Sequence, residues 1–381
     1  MKKLLWKPSA VSWQIHLVTA ILAVIVLIIV ESFKLNLKQP YYREKIRAAR
    51  YMLQAMDIIK QHRVKNIGPI NKAIDPLHTG LIGVLSSPIT STTVDIDSKL
   101  ISLNPNWAAV IVSMLKEAKV RNGSTVAVSF TGSFPAMNLA VLSAAKAMNL
   151  RLIIITSVAA STWGANIPNF TWLDMEHVLN EKQFCTYRTA AASLGGVRDN
   201  ALGMSEPGKR ILRETILKYK IILLEFDDMK KNVDERMAIY REWAKETQIG
   251  AYINVGGGTV AIGSFIGKMR YKAGLNIRAP RRALRVDSVM SRFGRDQIPI
   301  LNFNYIKTLA KNYSFPESFK KIPKIGVGEI YNRSEYNKFL VVIVLLFLII
   351  FLYLFMKIGI GYRVFIPQKK SSKMRPPEHM V

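Results

Sequence analysis

One cysteine, Cys185, stands in 381 residues. That excludes an intrachain disulfide. A domain of about 300 residues can build its core without one, so the cysteine count neither supports nor opposes export. Acidic side chains are also scarce, with 26 Asp and Glu against 54 Lys and Arg and a net charge of +28 at pH 7. No HExxH, G-x-S-x-G or CxxC string occurs, so the usual zinc-protease, nucleophile-elbow and zinc-ribbon chemistries have no sequence support. Zinc-finger spacing and RNA-recognition aromatics are missing too, and no nucleic acid, metal or cofactor is expected.

What the chain has is two uncharged apolar runs. Ile15–Val30 is broken only by His16 and Thr19, and Phe339–Met356 only by Tyr353. Each lies near the lower length for a spanning helix, roughly 17–25 residues. Met1-Lys2-Lys3 and Lys7 suit the charged start of a signal peptide, but Val30-Glu31-Ser32-Phe33 offers no small-x-small cleavage site, which favours an uncleaved anchor. The second run could be a buried core helix; the basic tail behind it favours a stop-transfer helix. The reading is a two-pass cell-membrane protein. It has a cytoplasmic tail at 1–10, spans at 11–30 and 339–356, and a basic cytoplasmic tail at 357–381. Between the spans lie a membrane-proximal helix and loop region at 31–105, an extracytoplasmic α/β domain at 106–312 and a linker at 313–338. Residues 31–338 hold 45 basic and 25 acidic side chains, a net of about +20, and a field of that sign gathers polyanions.

Within that domain, helical and strand-like stretches alternate. Trp107–Ala118, Met137–Met148, Trp172–Glu181, Ser205 to about Tyr219 and Val233–Lys245 read as helices. Thr125–Phe130, Leu152–Thr156, Ile221–Leu224, Ile249–Val255 and Ile298–Phe303 read as strands. The fold class is α/β, a mostly parallel sheet with helices on both faces, flanked by an N-terminal and a C-terminal transmembrane helix. A helix opened by Pro40 reads as a stalk next to the membrane.

Two loops could carry chemistry. In Val128–Val141 a strand runs into Thr131-Gly132-Ser133 and a helix opens near Pro135; unpaired amides and two hydroxyls suit an anion, and an ordinary βα turn has the same pattern. The second loop is Asn254-Val255-Gly256-Gly257-Gly258-Thr259. Gly256-x-Gly258-x-x-Ala261 matches the dinucleotide pattern in form, but no acid follows about 20 residues on. Gly263 to Met269 has one residue too few between its glycines for a phosphate loop, and Met269 where a hydroxyl should bind magnesium. A triple-glycine turn remains, which either offers amides to an anion or packs backbone closely. The candidate anion-binding set is Thr131, Gly132, Ser133, Asn254, Gly256, Gly257, Gly258 and Thr259, facing one cleft at the carboxyl ends of parallel strands. Asp174, Glu176 and His177 read as a solvated helix face, and Arg278, Arg281, Arg282 and Arg285 either grip carboxylates or form plain surface.

The strings "SSPIT" at Ser86, "TGSFPAMNLAV", "SVAASTWGAN" at Ser157 and "INVGGGTVAIG", with the two terminal runs, resemble the poly-gamma-glutamate system proteins of bacterial capsule loci. That resemblance implies a process rather than a reaction: an accessory component of poly-γ-glutamate synthesis or export. Its partners would be poly-γ-glutamate or another anionic polymer, the membrane, and synthase or export subunits. A fainter likeness, resting on "SVAAS" after a strand, is to phosphosugar-binding α/β modules. The alternative class is an enzyme acting on γ-glutamyl chains, with Ser133 as its nucleophile and a base near it in space.

Overall fold

The computed structural model describes residues 13–357; the tails expected at 1–10 and beyond 357 lie outside the described residues. The described strands are β1 (Leu35–Lys38), β2 (Thr125–Thr131), β3 (Arg151–Ser157), β4 (Thr189–Ser193), β5 (Ile222–Leu224), β6 (Ile249–Val255), β7 (Gly274–Asn276), β8 (Ile300–Phe303) and β9 (Asn332–Glu335). The chain divides into two units, 38–332 and the paired ends.

Unit 38–332 is built on one seven-stranded sheet of order β5-β4-β3-β2-β6-β8-β7, parallel except for β7. Side chains alternate across it because the strand period is two. Val126, Val128 and Phe130 of β2 enter a core shared with the helices Tyr42–His62, Trp107–Glu117 and Pro135–Met148. Ala127 enters the opposite core, with Val233, Tyr240, Val289 and Phe293. Both faces are therefore covered, as the near-continuous apolar strands require.

The chain lays down β2 first, moves outward through β3, β4 and β5, then returns to the other side of β2 with β6 and β8. Between β2 and β6 the winding direction reverses, and the carboxyl ends of these two strands open a crevice.

The helix after Pro40 spans Tyr42–His62 and is no free stalk. Its small face (Ala48, Ala49, Met52, Ala55, Met56, Ile59) is buried against Pro135–Met148, where alanines let the two helices approach closely. The solvated-face reading of Trp172–Glu181 is also corrected. Asp174 and Glu176 are both buried. Asp174 closes a capping box with Thr171 and accepts from Tyr219 at 2.7 Å, and Glu176 accepts from the amide and hydroxyl of Thr189 at 2.7 and 2.8 Å. Only His177 keeps to the outer face, beside Glu181.

In the paired ends, the apolar runs form helices Trp13–Ser32 and Lys338–Lys357, and β1 pairs with β9. Tyr336 donates to Glu31 at 3.0 Å, and Lys34 lies over the Tyr336 ring. The two-pass membrane localisation is overturned here: among the described residues no helix is long and apolar enough to cross a membrane.

Candidate functional site

A cavity of about 430 Å³ lies at the crevice between β2 and β6. The end of β2 and the loop after it supply Thr131 and Ser133 to its lining, and the segment after β6 supplies Gly257, Gly258 and Thr259. Five of the eight candidate residues therefore meet at one cavity.

The other three stand behind it. Gly132 is wedged against β3: a Cβ there would sit 2.4 Å from the Val158 carbonyl oxygen. Its amide donates to Ser157 O at 3.0 Å. Gly256 takes φ +84°, and a Cβ on it would stand 2.5 Å from Thr131 Oγ1. Asn254 is fully buried, its side-chain amide donating to Gly256 O at 2.8 Å and Asn302 Oδ1 at 3.2 Å. Glycine is required at 256 both by the positive φ and by the close approach.

Among the described residues the amides of Gly257 and Gly258 have no acceptor. Lys268 comes to the same place from downstream: a Cβ on Gly257 would meet its Nζ at 2.8 Å and Asn304 Oδ1 at 2.9 Å. Burial lowers the Lys268 pKa, and no carboxylate among the described residues pairs with it. The second lysine of the rim, Lys307, is held by Asp95 at 2.9 Å and Asp97 at 3.1 Å. Amides, hydroxyls and an ammonium arranged in this way suit an anion.

The floor comes from β3 and the segment after it. Ser157 Oγ donates to Asp199 Oδ1 at 2.7 Å, and Asp199 pairs with Arg236 at 2.5 Å, both buried. Arg236 also donates to Ser193 Oγ at 2.7 Å and to Asn232 Oδ1 at 3.0 Å. This network anchors a strained turn in which Arg198, Asp199 and Ala201 all have φ between 52 and 66°.

Among the described residues no acid or base side chain bonds the Ser133 hydroxyl. Its Oγ accepts from the Ser161 amide at 3.0 Å, and its carbonyl accepts from Lys99. Lys99 Nζ donates instead to the hydroxyl of Ser161 at 2.7 Å. The serine–base contact therefore falls on Ser161, which lines the cavity. Ser157 and Ser161 belong to the string "SVAAS", and Lys268 follows Gly267 in the rejected phosphate-loop string, so these had a sequence signal, whereas Lys99 had none.

No family model, curated protein or solved structure matches the chain.

Proposed function

We propose that this chain is an accessory protein of poly-γ-glutamate synthesis or export, and that its crevice receives glutamate-type carboxylates of the anionic polymer. The observation that carries the reading is the meeting of the Thr131–Ser133 and Gly257–Thr259 loops at one cavity, with two unpaired amides and Lys268 beside them. The net charge of about +20 over residues 31–338 supports it at longer range, since such a field draws a polyanion to the surface before any one carboxylate enters. Synthase or export subunits are the expected partners. The resemblance in the strings at Ser86, Thr131, Ser157 and Ile253 supplies the process.

The test is binding of poly-γ-glutamate by the full chain at two ionic strengths. Affinity should fall from low salt to about 0.15 M, where screening shortens to about 8 Å. A neutral polymer of equal length should not bind. Equal binding of both polymers, or none at low salt, refutes the reading.

A further inference from the structure

We propose that Ser161 and Lys99 form a nucleophile–base pair that cleaves an acyl bond of a carboxylate-bearing substrate held in this cavity. The substrate class, a γ-glutamyl amide, rests on the function proposed above; the pair itself rests on geometry.

Lys99 Nζ stands 2.7 Å from Ser161 Oγ, within the distance a general base needs. Its second anchor is the Ser133 carbonyl, and the Phe134 ring lies 3.9 Å below it. These contacts aim the nitrogen at the Ser161 hydroxyl. Ser133, Phe134 and Ser161 all border the cavity. Lys99 is 1% exposed. Asp95 acts on it only at a distance and is bound by Lys307, which also holds Asp97; Lys268 is the other cation of the cavity. Burial, opposed by Asp95, brings the Lys99 ammonium down to about 7, so a neutral amine is available near neutrality. A lysine in apolar surroundings with a hydroxyl in contact is the arrangement that activates a serine without histidine.

The step balances within the site plus one water. Neutral Lys99 takes the Ser161 Oγ proton as Oγ bonds the substrate carbonyl carbon. The C–N bond then breaks and Lys99 returns the proton to the departing amine. Water, deprotonated by Lys99, attacks the resulting ester; the acid leaves and Ser161 regains its proton.

The test treats the full chain with a fluorophosphonate and maps the adduct by peptide mass. One adduct on Ser161 is expected, lost in Ser161→Ala and slowed about tenfold or more in Lys99→Met and Lys99→Arg. The wild-type labelling rate should rise with pH through about 7. If the Lys99 variants do not fold, the mapped serine and the wild-type pH profile decide. No adduct, an adduct on Ser133 or Ser157 instead, or a rate flat in pH overturns the pair. Polymer binding is measured on the same protein: binding without labelling removes the pair alone, and labelling without binding removes the γ-glutamyl assignment alone.

Discussion

Gly256 and Thr131 are locked together: a Cβ on the glycine would stand 2.5 Å from the threonine hydroxyl oxygen. The loops after β2 and β6 thus share one contact, and the cavity in front of them is as fixed as that contact. Gly256→Ala meets both this overlap and a φ of +84°, and should cost about 1–3 kcal/mol in urea unfolding. Gly258→Ala is the control. With φ −54° and its nearest neighbour 3.8 Å away, it should leave the midpoint unchanged.

Gly257→Val tests the site without the fold. The atoms in its way are the ends of two side chains, Lys268 Nζ and Asn304 Oδ1, which can swing aside. Thermal unfolding should stay near wild type while polymer affinity drops about tenfold or more, as the ammonium is displaced and the amides are covered. Ser133→Ala should weaken binding by only about 0.5–1.5 kcal/mol. Unaltered titration curves for Gly257→Val would remove this loop from the site.

Glu176 makes stability depend on pH. Burial raises its carboxyl to about 7 in the fold from an ordinary 4.5, against the lowering effect of its Thr189 bonds. The folded state therefore holds a proton that the unfolded chain releases. This contribution is complete below about pH 4.5 and is lost as pH rises through 7, on the order of 3 kcal/mol. Glu176→Gln keeps an acceptor for Thr189 and should flatten that fall, read as denaturant midpoints between pH 5 and 8.

Arg236→Met leaves Asp199 buried without its cation. Destabilisation of about 3–5 kcal/mol is expected by chemical denaturation. Arg236→Met with Asp199→Asn should recover part of it, because the uncompensated charge is gone. A double variant no better than the single would mean that Arg236 acts through Asn232 and Ser193 instead.

The sheet was largely legible because its central strands are long and apolar. The readings for β2 and β3 differ from the fold by single residues at the ends, and β6 agrees throughout. Ser205 also caps its helix as its position before Glu206-Pro207 suggests, accepting from the Gly208 amide at 3.3 Å. β4 was missed: Thr189–Ser193 is alanine and hydroxyl residues, which carry weak strand preference and form a strand only where neighbours cover them. Asp174 and Glu176 read as surface because their partners, Tyr219 and Thr189, are not helix neighbours. The site was half legible for the same reason. A glycine run and a hydroxyl loop announce themselves locally, but Lys99 becomes notable only when folding sets it between Ser133 and Ser161.

The reversal of winding between β2 and β6 has a kinetic corollary. Every other parallel neighbour pair up to β5 joins strands that follow one another directly in sequence, whereas Ser129 opposite Asn254 closes across the whole of β3 to β5. That closure carries the largest loop entropy among the strand pairings of the sheet. Ribosome-bound chains ending before Ile249 would own the first loop and no facing wall. The crevice is therefore completed late in synthesis, and a ligand that bound there, added during refolding, should slow reopening of the β2–β6 seam rather than hasten its formation.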